Sequence, residues 1–223
     1  MNTSIYQSVA LAGASGLIGR ALAARLAADP GCSQLHLVLR RALPPLEGHA
    51  KVEVHWLGAA GMPALPPVDA ALSALGTTIR LAGSQAAFRA VDFDAVLAFA
   101  RAARAAGATR FAVVSSLGAN PRSKTFYSRV KGEMEEAIAM LGFAGVVIAR
   151  PSLLAGDRAA LGQPTRLCER VALAVTGPFG SLIPATWRPI KAAIVARGML
   201  AALRQDMPGV RVVESAELQR LGI

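Results

Sequence analysis

The stretch Ser8-Val9-Ala10-Leu11-Ala12-Gly13-Ala14-Ser15-Gly16-Leu17-Ile18-Gly19-Arg20 decides the fold. Its first five residues are a short apolar run. An Ala- and Leu-rich helical pattern then runs from 17 to 28 and stops at Asp29-Pro30-Gly31. Three glycines at three-residue intervals stand between the two. This is the pattern of a strand, a tight turn and a helix. A dinucleotide pyrophosphate needs backbone N–H groups and a helix N-terminus aimed at it. Gly13 would make the tight turn, Gly16 the close backbone approach, and Gly19 the helix–strand packing. Leu17 and Ile18 complete the cradle at the helix start. Ser15 is suited to donate its hydroxyl to a phosphate, or to cap the helix.

Outward from this segment, β-rich runs alternate with helical ones. Strands are expected at 8–12, 35–40, 52–57, 69–75, 110–115, 145–149 and 210–213. Helices are expected at 17–28, 85–106, 126–141, 166–175 and 191–204, with a short one closing the chain. Such alternation implies an α/β fold, a doubly wound parallel sheet of the NAD(P)-binding Rossmann type. Several strands are nearly continuous apolar runs, as strands buried on both faces are. The chain reads as a single domain over 1–223, with 151–223 contributing a small substrate-side cap. Ligands of such sheets sit at the carboxyl ends of the strands.

Composition sets the outer limits. The 223 residues are 53% hydrophobic and 17% charged, enough to build a core and too apolar for a disordered chain. Apolar stretches are broken by Arg or Gly before they reach a membrane-spanning length. No basic residue precedes the apolar start, so no targeting segment and no membrane partner are expected. Cys32 and Cys168 make neither a disulfide framework nor a metal-ligand spacing, so no metal is expected, and they fit a reducing cytoplasm. The net charge of +10 comes from 20 Arg and 4 Lys. The arginines are scattered and not interleaved with aromatics, so no nucleic-acid partner is expected.

The second strand ends in Leu37-Val38-Leu39-Arg40-Arg41, about 20 residues past the glycines. An acid there would bind the ribose hydroxyls of NAD. Two guanidinium groups suit a 2′-phosphate instead, so NADP(H) is preferred over NAD(H). Further on, Tyr127-Ser128-Arg129-Val130-Lys131 places Tyr127 and Lys131 on one helix face. With 2 Tyr and 4 Lys in the chain, that spacing is a rare coincidence. Carbonyl reduction, or its reverse, needs such a pair: a phenol that exchanges a proton with the substrate oxygen, and an ammonium that favours the phenolate and holds the nicotinamide ribose. Ser115-Ser116 ends the preceding strand, where a hydroxyl can hold the substrate oxygen. Ser116 is the first choice for that hydroxyl and Ser115 the alternative. The large aromatics Trp56, Phe179 and Trp187 suit either core or pocket wall. Asp92 reads as a surface or cap carboxylate.

The chain resembles the atypical short-chain dehydrogenases/reductases, most of all the Tat-interacting-protein-like oxidoreductase subgroup. The segments that carry the resemblance are GASGLIGR (13–20), LVLRR (37–41), LGTT (75–78), FAVVSSLGAN (111–120), YSRVKGEMEEA (127–137) and ARPSLLAG (149–156). It implies an NADP-binding Rossmann domain with a Ser–Tyr–Lys site. It assigns Leu75, Gly76, Thr77 and Thr78 to a loop over the cofactor ribose and phosphates. It also assigns Pro151, Ser152 and Leu153 to the nicotinamide pocket. The expected protein is an oxidoreductase acting on a small molecule with a carbonyl or hydroxyl, with homodimerisation left open. Two rivals stand beside it: an NADP(H)-binding sensor without turnover, and a nucleotide-sugar epimerase using the same site.

Overall fold

The computed structural model describes residues 6–43, 49–58, 61–155, 184, 186–205 and 207–223. Its main sheet has seven strands: β1 (Ser8–Ala12), β2 (Gln34–Leu39), β3 (Val52–Trp56), β4 (Ala70–Ser73), β5 (Arg110–Val114), β6 (Gly145–Arg150) and β9 (Gly209–Glu214). The order across the sheet is β3-β2-β1-β4-β5-β6-β9, and every pairing is parallel. Strand order reverses between β1 and β4, the place where doubly wound sheets open a crevice. β7 (Leu154–Ala155) and β8 (Ile190–Lys191) form a separate two-stranded pair.

Apolar alternation along the strands builds a core on each face. One side buries Leu11, Leu37 and Leu72 under α1 (Leu17–Ala28) and α6 (Ala192–Arg204), which contributes Met199. The other buries Phe99 and Phe111 with Met134 and Ile138. Those residues come from β5, α4 (Val96–Ala105) and α5 (Phe126–Ala139). Each such side chain contributes about 1.5–3 kcal/mol by leaving water. Cys32 belongs to the first core, and burial pushes its thiol pKa up to about 11.

Two regions differ from the sequence expectation. The helix expected at 85–106 is divided into α3 (Gln85–Arg89), a π-helical stretch (Ala90–Ala95) and α4. A π turn holds more residues than an α turn, so it rotates the next helical turns about the axis; such turns recur at functional sites. The second region is the chain after Pro151. α6 packs on α1, β9 is the seventh strand of the main sheet, and α7 (Ser215–Leu221) packs on α6. These elements belong to the body of the domain, not to a cap. The helix expected at 166–175, Cys168 and Phe179 lie outside the described residues. Among the described residues no helix is long and apolar enough to cross a membrane.

Candidate active site

A cleft of about 760 Å³ opens where β1, β2, β4, β5 and β6 end. Its floor is the Gly-rich turn. Gly13 has φ +84°, and a Cβ there would lie 2.4 Å from the Ala74 backbone. A Cβ on Gly19 would lie 2.0 Å from the Gly13 carbonyl oxygen, so α1 can approach the turn only without a side chain. Gly16 is different: a Cβ would meet only the Gly13 oxygen, at an ordinary 3.5 Å. Glycine at 16 therefore keeps space open in the cleft, while 13 and 19 serve packing. Gly16, not Ser15, is the N-cap of α1, and no side chain caps it. The N–H groups of the first turn are thus left for a ligand. Gly13, Ser15, Gly16, Leu17 and Ile18 line the cleft, and Gly19 sits behind it.

Arg40 and Arg41 come just after the end of β2, are exposed, and line the cleft. They also line an adjoining recess of about 350 Å³, walled by Val38, Leu57, Met62 and Leu75. Leu75, Gly76, Thr77 and Thr78 continue from β4 along the cleft. Thr78 also caps the short helix α2 (Ile79–Ala82), accepting from Leu81 N–H at 3.2 Å.

Tyr127 and Lys131 lie one turn apart on α5 and both line the cleft. The Tyr127 ring packs at 5.4 Å between centroids against the buried Phe88 of α3. Gly132 lets α5 come close to the loop after β5, since a Cβ there would lie 2.2 Å from Pro121 N. Lys131 is 3% exposed, and its Nζ sits 2.8 Å from Oδ1 of Asp92, a close ion-pair contact without hydrogen-bond alignment. Asp92 is fully buried, and its Oδ2 accepts from Thr77 N–H at 2.8 Å. Gly76 covers the pair: a Cβ there would be 3.4 Å from Asp92 Oδ1 and 3.9 Å from Lys131 Nζ. The surface role expected of Asp92 is therefore overturned. It comes from the π-helical stretch, carries the counter-charge of Lys131 and ties the β4 loop to α5. A sequence signal existed, because Phe88, Asp92, Val96 and Phe99 share one helical stripe and the other three are fully buried.

The two serines part company. The buried Ser115 hydroxyl donates to Glu135, which is clamped by Arg150 at 2.5 and 3.0 Å. Those hydrogen bonds hold the Arg150 guanidinium pKa above its ordinary value. Ser116 is half-buried, and among the described residues its hydroxyl makes only a 3.3 Å contact to the Leu117 carbonyl. Both line the cleft. Pro151, Ser152 and Leu153 line it on the β6 side. The Ser152 hydroxyl donates to the Arg188 carbonyl at 2.5 Å and accepts from Ser215 at 2.9 Å, so it is committed to holding the wall. Of the three aromatics expected in core or pocket wall, the two among the described residues are exposed: Trp187 edges the cleft, and Trp56 lies on the outer strand β3. The residues thus fit a dinucleotide: an open helix N-terminus and glycine floor at one end, two guanidinium groups beside a recess, and a phenol with an ammonium at the other.

No family model matches the chain. It is 33% identical over 183 residues to "Protein fmp52, mitochondrial" of Emericella nidulans, covering 78% of this chain and 77% of that protein. It is 31% identical over 242 residues to "Protein FMP52, mitochondrial" of Coccidioides immitis, covering 96% of each. The solved structure "MoeE5 in complex with UDP-glucose and NAD" superposes with a TM-score of 0.69 at 18% identity, covering 95% of this chain and 79% of that one. A "putative NAD-dependent epimerase/dehydratase from Bacillus halodurans" gives 0.65 at 20% identity, covering 96% and 99%. The fold is therefore that of the NAD-binding epimerase/dehydratase proteins. Two expectations are corrected. The similar proteins carry the name FMP52, not that of the Tat-interacting-protein-like subgroup. They are also named as mitochondrial, which overturns the cytoplasmic placement drawn from two cysteines. At 31% identity along nearly its whole length, the chain belongs to the FMP52 family.

Proposed function

We propose that the protein is an NADP(H)-dependent oxidoreductase of a small carbonyl or alcohol substrate, with Tyr127, Lys131 and Ser116 as its working residues. One observation carries the reading: the Gly-rich turn, the Arg40–Arg41 pair and the Tyr127–Lys131 pair, far apart in sequence, line one cleft. The name "NAD-dependent epimerase/dehydratase" of a structural neighbour supports a nicotinamide cofactor. That group, when bound, supplies or accepts the hydride.

The chain's own residues do the rest. The first-turn N–H groups of α1 and Ser15 bind the pyrophosphate, and Thr77 and Thr78 border its ribose. Arg40 and Arg41 pair with the 2′-phosphate, and the recess beside them takes the adenine. Pro151, Ser152 and Leu153 form the wall behind the nicotinamide. Ser116, whose hydroxyl has no strong partner among the described residues, orients the substrate oxygen. Ser115 is committed to Glu135 and serves the wall. In reduction, Tyr127 would give its hydroxyl proton to that oxygen. Lys131 stabilises the phenolate left behind, and Asp92 fixes the ammonium. The phenolate is then reprotonated from solvent.

Arg40 and Arg41 test the cofactor choice. Changing both to Ala removes charge-assisted hydrogen bonds worth about 1.5–3 kcal/mol, or roughly 10- to 100-fold in NADPH affinity. NADH affinity stays near that of the parent. Calorimetric titration with both cofactors reads the difference, and equal losses for the two contradict the assignment.

A further inference from the structure

The outer edge of the sheet carries a second cluster, clear of the cleft. Strands β2 and β3 pair with His36 opposite Glu53 and Val38 opposite His55. Partners in a parallel ladder project to the same face, and so do residues two apart along a strand. His36, Glu53 and His55 therefore meet on one face. His36 Nδ1 lies 3.1 Å from His55 Nε2 and 3.3 Å from Glu53 Oε2. The other Glu53 oxygen lies 3.7 Å from His55 Nε2. None of the three borders the cleft or its recess.

We propose that His36 Nδ1, His55 Nε2 and a Glu53 carboxylate oxygen form a binding site for a divalent first-row cation, zinc above all. Bonds of about 2.0–2.2 Å to a tetrahedral zinc place neighbouring ligand atoms roughly 3.3–3.5 Å apart. The nearest contacts, 3.1, 3.3 and 3.7 Å, lie around that value, the last two to different Glu53 oxygens, and one ligand atom from each residue lies within 4.8 Å of the other two. A single proton does not serve the cluster as well. His36 Nδ1 faces His55 Nε2 and a Glu53 oxygen at once, and a single N–H there reaches only one of them. A cation at the centre serves all three. His36 is 1% exposed, so its imidazole is held out of bulk water. Two imidazoles and one carboxylate select zinc and its neighbours over magnesium or calcium. The Glu53 side chain is 62% exposed on the edge strand, so water completes the coordination from the solvent side. The site escapes a reading by spacing because its two histidines are 19 residues apart, on different strands, and only the β2–β3 register joins them.

The test uses the full chain, stripped with a chelator and titrated calorimetrically with Zn²⁺, with Co²⁺ absorption as a second readout of tetrahedral geometry. The expected result is one Zn²⁺ per chain and a rise in melting temperature on binding. His55→Gln and Glu53→Gln, both on the edge strand, should each weaken binding by at least the roughly tenfold that loss of a merely orienting partner costs. His49→Gln, outside the cluster, should leave it unchanged. Circular dichroism of each variant separates lost binding from lost fold. A wild type that takes up no Zn²⁺, or variants that bind it as tightly as wild type, would show the three side chains to be a hydrogen-bonded cluster only.

Discussion

Among single residues, Asp92 decides how Lys131 is held. A buried lysine needs a counter-charge, and Asp92 is the carboxylate 2.8 Å from Lys131. Removing one partner of a buried pair is costlier than replacing both, because the other charge is left stranded. Asp92→Ala is therefore expected to cost about 3–5 kcal/mol in urea unfolding. Asp92→Asn keeps an acceptor for Thr77 N–H and should cost less. An Asp92→Ala protein with the wild-type urea midpoint would show that the pair contributes nothing. Tyr127 and Lys131 are legible in the sequence because their chemistry and their spacing coincide. Asp92 is not, because the polarity of a carboxylate points to the surface while its position in an apolar stripe points inward. The π-helical stretch that carries it leaves no mark in spacing. Glu135 escapes for the same reason: it lies one turn beyond Lys131 on the buried face of α5.

At the element scale the β1–α1 turn separates two uses of glycine. Gly19→Ala would force a Cβ to within 2.0 Å of a backbone oxygen, and Gly13→Ala adds a left-handed φ to a clash. Both should unfold at lower temperature than the parent, whether or not cofactor is present. Gly16→Val has room in the protein and fills the cleft instead. It should keep the parental circular dichroism and melting temperature, and lose binding of NADPH and NADH together. A Gly16→Val protein that binds NADPH normally would place the pyrophosphate elsewhere. The turn itself is readable because strand, glycine spacing and helix succeed one another locally. The role of α6 and β9 is not. Both are legible as a helix and a strand, but their place depends on β9 pairing with the distant β6, Gly209 opposite Gly145, which no local pattern records.

At the scale of the whole molecule, burial couples stability to alkaline pH. Cys32 has its pKa raised to about 11 by burial, and burial also raises that of Tyr6. In the unfolded chain these groups lose their protons earlier, near their ordinary values of 9.0 and 10.0. Between those values and the folded ones the native state holds more protons. Stability is thus fully present below about pH 9 and falls as pH rises toward about 11. Urea midpoints across that range check it, and Cys32→Ser should remove part of the fall. The sequence carries the fold class because alternation of period two and period 3.6 is global. It does not carry the substrate, which none of its motifs specifies. If Tyr127 moves a proton in the cleft proposed to bind the cofactor, Tyr127→Phe exposes it. The change removes one hydroxyl and keeps the ring against Phe88. With a carbonyl that the wild type reduces, found by monitoring NADPH oxidation across aldehydes and ketones, turnover should fall by about 10²–10⁴. NADPH affinity should move by less than about 1 kcal/mol. Turnover at the wild-type rate in Tyr127→Phe, or tight NADPH binding with no carbonyl reduced by the wild type, would contradict the account.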